Sequence, residues 1–235
     1  MEIEEDKVDT NQNSSYAIFL HMEDKIVLEE EIGFDDENIK QRIHTLKFNH
    51  NDQYLAAGYK DGRVRIFNVM TKHLTCTINC NPNNAETLVQ SIEWRPKIEG
   101  RTNNILMAIC RDRMLEIHTP SREIVNSMTF NGEIFSCAYS QDGLLYALGL
   151  KDYSIRVFDG LTKKETIRLG GIDNQKITGH QNKIFALKFV RDQKVLISGG
   201  WDDTLIFWDL LSKLKEFYFF SRKSRQSNSW SSYFS

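Results

Sequence analysis

The sequence predicts an all-β protein built from four copies of one four-stranded unit, with half of another unit ahead of them. Three observations predict it. First, Asp61, Asp112, Asp152 and Asp202 stand six residues before Phe67, His118, Phe158 and Trp208, and the Asp-to-Asp steps are 51, 40 and 50 residues. A period near 40–50 residues is the mark of a repeat architecture. Second, upstream of each Asp lies a segment that alternates apolar with small or polar residues and ends on an aromatic: "IHTLKF" (43–48), "VQSIEW" (89–94), "IFSCAY" (134–139) and "IFALKF" (184–189). Alternation with period two is the pattern of a half-buried strand. Third, turn-forming clusters such as "NHNDQ", "SQDG" and "RDQ" separate these segments from apolar runs: "YLAAG", "LYALG" and "VLISGG".

Taken in order, each unit reads as strand, turn, strand, tight Asp turn, strand, and a fourth strand such as "HLTCTI" or "KETIRL". The units span about 43–80, 88–130, 131–169 and 177–220, the last ending in "KLKEFYFF" (213–220). Ahead of them "YAIFLHMEDKIVLEEE" (16–31) fits the third and fourth strands of a preceding unit, assigned to 16–42, with Phe19 in the place of Phe67. Two polar, Gly-bearing insertions read as surface loops: "RPKIEGRTNN" (95–104) and "GGIDNQKIT" (170–178). Residues 1–15 are expected to form an acidic disordered tail, and the Ser-rich residues 221–235 a second one.

In the last unit Gly179-His180 lies upstream of Trp208-Asp209. Four short strands per unit with Gly-His and Trp-Asp markers resemble the WD-repeat β-propeller family, over roughly residues 16–218. The fourth unit carries the full marker set. Phe67-Asn68 and Phe158-Asp159 stand where Trp-Asp would in the first and third, and Ile117-His118-Thr119 in the second. The resemblance implies a propeller of four blades plus a half blade, an incomplete ring. It also implies that His180, Ser198, Asp202 and Trp208 form a hydrogen-bonded chain inside one blade. That set imitates a Ser-His-Asp catalytic group, but the family uses it as stitching. Three accounts of the missing part of the ring stand open: a chain shorter than its full form, a second chain that completes the ring, or a stable partial arc.

Composition narrows the function classes. The chain of 235 residues is 40% hydrophobic and 26% charged, ordinary for a globular protein. Its longest apolar runs, "AIFL" and "FYFF", are far below the ~20 residues a membrane helix needs. The acidic start "MEIEEDKVD" lacks the order of a secretory signal. Intracellular, cytoplasmic residence without membrane attachment is therefore expected, with the nucleus or cilium open. Cys76 and Cys80 with His73 invite a zinc reading. Within one strand, however, the two thiols would lie about 13 Å apart, too far for one metal. No metal or cofactor is expected. A Gly-rich phosphate loop, an H-E-x-x-H motif and a nucleophile elbow are all missing, so catalysis is not expected.

Net charge is −2, but residues 1–40 hold 13 acidic and 3 basic residues, so the remainder is basic. In the family the face bearing the Asp turns binds peptides or protein loops. The positions that point there are the residue before each Asp and those flanking the first apolar residue of each inner strand. They are Arg42, His44 and Lys60; Leu88, Gln90 and Arg111; Glu133, Phe135 and Lys151; and Lys183, Phe185 and Trp201. Aromatics and arginine anchor interfaces, and cations steer acidic segments. The expected function is a non-catalytic scaffold or adaptor within a multiprotein complex that binds an acidic, aromatic-containing peptide there. A structural part of a ciliary or cytoskeletal assembly is the alternative. Nucleic acid is not an expected partner, since "SRKSR" (221–225) is too short a basic patch.

Overall fold

The computed structural model describes residues 42–80, 87–100, 103–173, 176–190 and 194–211, all within one compact unit, Lys40–Ser235. Every described element is a β-strand, and each strand pairs antiparallel with its chain neighbour. The first blade is β1 (Ile43–Phe48), β2 (Tyr54–Tyr59), β3 (Arg63–Asn68) and β4 (Leu74–Asn79). The second is β5 (Val89–Trp94), β6 (Ile105–Cys110), β7 (Arg113–His118) and β8 (Glu123–Thr129). The third is β9 (Ile134–Tyr139), β10 (Leu145–Leu150), β11 (Ser154–Asp159) and β12 (Glu165–Asp173), extended by β13 (Lys176–Thr178). The fourth shows β14 (Ile184–Val190), β15 (Val195–Gly200) and β16 (Leu205–Asp209). Its expected outer strand (213–220), both tails and all but Arg42 of the expected half blade lie outside the described residues.

The blades pack face to face through their first strands, β1 on β5, β5 on β9 and β9 on β14. Strand periodicity explains how each blade serves two neighbours. On the third strand, alternate positions face opposite blades. Val64 and Ile66 of β3 point into the first–second interface, where Leu115 and Ile117 of β7 meet them from the other side. Met114 of β7 faces the third blade. Ile155 and Val157 of β11 pack with Ile206 and Trp208 of β16 between the third and fourth blades. The core is thus a series of sheet-to-sheet layers. On the first blade Leu46 and Phe48 remain about half exposed.

Two expectations need correction. The second blade does not keep the six-residue spacing from Asp to the marker position. β6 and β7 join through a two-residue turn, Arg111-Asp112, with Cys110 paired directly to Arg113. In the other blades the pairs Gly58–Val64, Gly149–Ile155 and Gly199–Leu205 span one residue more than Ile109–Met114 does, with positive φ in the turn at Gly62, Tyr153 and Asp203. One deletion shifts the register. Ile117 pairs with Leu106 as Phe67 pairs with Leu55 and Trp208 with Leu196, so Ile117, not His118, occupies the Trp position. The segment 170–178 is not a loop. It extends β12 and folds back through β13, with Gly171 opposite Thr178 and Ile172 opposite Ile177.

Candidate functional site

The four residues His180, Ser198, Asp202 and Trp208 come together inside the fourth blade. The His180 ring is fully buried, its Nδ1 lies 2.9 and 3.0 Å from the two Asp202 oxygens, and its Nε2 lies 2.7 Å from Ser198 Oγ. The Trp208 indole N–H donates to Ser198 Oγ at 2.7 Å. With the carboxylate as acceptor, the ring proton belongs on Nδ1, and Nε2 accepts from the Ser198 hydroxyl. Every member then has a partner: Trp208 to Ser198, Ser198 to His180, His180 to Asp202. Burial pushes the Asp202 carboxyl up. The Gln181 amide, the Thr204 hydroxyl and His180 outweigh it and hold the group below its ordinary value. Ser198 is fully buried, so no substrate reaches its oxygen. Gly179 is needed for a steric reason. Its φ is +82°, and a Cβ there would lie 2.7 Å from Trp208 Cη2.

The other turn carboxylates are held differently. Asp61 accepts from Arg65 at 2.8 Å, and that guanidinium, 3% exposed, stacks 4.2 Å over the Tyr59 ring. Asp152 takes Arg156 at 3.2 Å and Arg168 at 3.1 Å. Burial raises the Asp152 carboxyl, but Ser154 and Arg156 more than reverse this. Asp112 sits in the shortened turn, where its carbonyl accepts from the Phe130 amide at 2.8 Å. These arginines escaped the sequence reading, although an Asp-x3-Arg signal recurs in "DGRVR" and "DYSIR".

The face bearing the Asp turns is shaped by a feature repeated in all four blades. The first strand of each carries a β-bulge at its second residue: His44, Gln90, Phe135 and Phe185. A bulge re-aims a side chain away from the regular alternation. Beside the bulges, in three blades the amide before the Asp donates to the carbonyl of the residue just ahead of the first strand. Lys60 bonds Arg42, Lys151 bonds Glu133 and Trp201 bonds Lys183, at 3.0, 2.8 and 2.9 Å. Arg111, at φ +57°, instead gives its carbonyl to Ile134 of the next blade.

The structure groups part of this set. Phe135, Phe185 and Trp201 form a row across the third and fourth blades, with ring centroids 5.4 and 4.7 Å apart. The Lys183 ammonium lies 4.9 Å from the Phe135 ring centre and 5.4 Å from that of Trp201. Phe135 is buried and Trp201 is 64% exposed, so the row slopes from core to solvent. Arg42, His44 and Lys60 are exposed on the first blade, and Arg111 on the second. Lys151 is exposed and pairs loosely with Glu133 at 3.7 Å. Such a surface pair contributes little to stability and leaves the lysine available.

Among the described residues no group of three or more His, Cys, Asp or Glu could hold a metal ion, and no helix is long and apolar enough to cross a membrane. All four cysteines are buried free thiols.

Two family models match the chain. That of the anaphase-promoting complex subunit 4 WD40 domain covers residues 15–97, and that of the WD domain, G-beta repeat, covers 172–209. Among similar proteins are the WD repeat-containing protein 91 homolog of Dictyostelium discoideum, 26% identical over 72% of this chain and 21% of its own, and Protein FIZZY-RELATED 2 of Arabidopsis thaliana, 24% identical over 82% of this chain and 39% of its own. The poly(A)+ RNA export protein of Schizosaccharomyces pombe is 30% identical over 42% of this chain and 26% of its own. The chain thus spans less than half the length of each of these relatives. A chain in a crystal structure of the mitotic checkpoint complex superposes with a TM-score of 0.63 at 17% identity, over 79% of this chain and 54% of that one. At that identity the likeness carries the fold alone.

Proposed function

The chain belongs to the WD-repeat family, and on that premise we propose that it is a non-catalytic scaffold that holds a partner protein's peptide on the face bearing the Asp turns. The observation that carries this reading is the Phe135–Phe185–Trp201 row with Lys183 beside it. An exposed indole packed on the half-buried Phe185, itself set against the buried Phe135, is a rigid anchor, ordered before the partner arrives, so little side-chain entropy is lost on binding. An aromatic side chain of the partner would stack on Trp201. An acidic neighbour would meet Lys183 and the exposed Lys60, Arg111 and Lys151. The polar chain of the fourth blade supports a structural role in this reading, because its hydroxyl is sealed from solvent. Buried free thiols agree with residence in a reducing compartment inside the cell.

The test is selection of short random peptides on the purified chain, followed by calorimetric titration of the recovered sequences. Peptides that carry an acidic and an aromatic residue should be enriched. Trp201→Ala should weaken them about tenfold, the size of a hot-spot loss. Lys60→Glu/Lys151→Glu should weaken them further, with the effect shrinking in salt. Unchanged affinity in both variants would overturn the assignment of this face.

A further inference from the structure

Each junction between blades is closed by the residue that opens a first strand. Val89, Ile134 and Ile184 are fully buried in the layers their blades share with the blade before. In two junctions the seat for this knob is a glycine on the second strand of the preceding blade. A Cβ on Gly58 of β2 would lie 2.7 Å from Val89 Cγ1, and one on Gly149 of β10 would lie 3.1 Å from Ile184 Cβ. Both are closer than the roughly 3.5–4.0 Å at which carbon atoms attract, so neither seat takes a side chain. The second blade has Ile109 at this position, in the same layer as Ile134.

At the two ends of the series the same parts stand apart. Ile43, which opens β1, is 50% exposed. Leu46 and Phe48 on the same strand are as open, whereas Ile92, Trp94, Tyr139 and Phe189 at the matching positions are buried. On the fourth blade Gly199 of β15 pairs with Ala186 as Gly58 pairs with Thr45 and Gly149 with Ser136, so it is the next seat in the series. Among the described residues a Cβ on Gly199 would meet only its own sheet, Ala186 at 3.7 Å and Leu205 at 4.0 Å. Around it Ile197, Leu205 and Phe207 are partly exposed, where Ala147, Ile155 and Val157 of the third blade are sealed. First strands pack as β1 on β5, β5 on β9 and β9 on β14, and β1 does not pack on β14 in this way. The chain's own first blade therefore leaves the last seat open.

We propose that a second copy of this chain joins here head to tail, with Ile43 of one copy seated on Gly199 of the other. Leu46 and Phe48 extend the contact along β15 towards Ile197, and the removal of these apolar side chains from water drives it. The new seam continues the packing already seen between blades. The first blade shows a knob and the fourth a seat, so the two faces fit each other and neither fits itself. Two such seams join two four-blade arcs into a ring of eight, within the ~4–8 blades of known propellers. The half blade expected at 16–42 offers third and fourth strands only, whereas Val89 and Ile184 seat on second strands. This inference rests on the packing between blades and does not depend on the peptide face proposed above.

Sedimentation equilibrium of the full chain tests it. The parent should reach twice the chain mass as concentration rises and stop there. Ile43→Asp and Gly199→Val should each weaken the dimer about tenfold or more. Both positions are open in the single chain, so at dilutions where the parent is monomeric each variant should keep its urea midpoint. Mixing the two variants should restore a dimer. The unaltered Ile43 of the Gly199→Val chain then meets the unaltered Gly199 of the Ile43→Asp chain, and one seam is whole. A parent that stays monomeric would overturn the inference and give these faces to residues 16–42 or to an unlike partner. Growth beyond the dimer would overturn the closed ring, because a head-to-tail contact that does not close forms filaments. Variants that dimerise like the parent, or a mixture that stays monomeric, would overturn the pairing of Ile43 with Gly199.

Discussion

Replacing Ser198 with alanine isolates the link that holds the fourth blade together. The hydroxyl is fully buried, donates to His180 Nε2 and accepts from Trp208 Nε1, both at 2.7 Å. Alanine keeps the side chain's volume close to its original value, so the cost is almost wholly polar. Two buried groups lose their partner at once. An unsatisfied buried group costs roughly 1–3 kcal/mol, so Ser198→Ala should destabilise by about 3 kcal/mol. That is a large share of the ~5–15 kcal/mol by which a domain is usually stable. Trp208→Phe keeps a ring in the layer but removes the indole donor, at about 1–2 kcal/mol, and the Cζ2–Cη2 edge that packs beside Gly179, a packing cost that cancels in the cycle. In the Trp208→Phe background, Ser198→Ala orphans the imidazole alone. Its cost should therefore fall by about 1–2 kcal/mol, a coupling well outside ordinary additivity error. Urea unfolding at neutral pH, followed by far-ultraviolet circular dichroism, measures all four corners of the cycle. Costs that add within about 0.5 kcal/mol, or a Ser198→Ala penalty under about 1 kcal/mol, would refute the linked chain.

Two further outcomes follow from the same blade. The folded-state pKa of Asp202 lies below its unfolded value. Its stabilisation is therefore fully present above the unfolded value of about 4 and is lost as pH falls through the lower folded value. The urea midpoint should fall more steeply with acid in the parent chain than in Asp202→Asn, and equal acid slopes would contradict the assignment. Gly179→Ala places a Cβ 2.7 Å from Trp208 Cη2 at φ +82° and should cost about 2 kcal/mol or more, whereas Gly199→Ala, whose nearest atom would be 3.7 Å away, should shift the melting temperature far less.

Much of the fold is legible in the residue pattern. Alternation in "IFSCAY" and "IFALKF" marks β9 and β14, and the turn clusters mark their ends. The Asp register misleads only in the second blade. There a one-residue deletion in the turn is invisible to counting from Asp112, because the strand that follows, "RMLEIH", carries no Trp or Phe to mark the position. The ribbon at 170–178 reads as a loop because two glycines and a run of polar residues are turn chemistry. Their pairing depends on a partner strand that forms only when β12 runs on past the blade. The positions of the proposed binding face are readable as positions, but the bulges at His44, Phe135 and Phe185 leave no mark in composition.

What can be read directly from the chain is the strand order and marker set of a single blade. The His180–Asp202 contact spans 22 residues within the fourth blade, and the family resemblance carried by the Gly-His and Trp-Asp markers anticipates it. What cannot be read is whatever crosses between blades. Lys163 reaches Glu116 across 47 residues, and Phe135 meets Phe185 from a different sheet. Those contacts depend on the angle and depth at which one twisted sheet packs on the next. That geometry is set by the summed shape of the apolar layers between them, and no single segment encodes it.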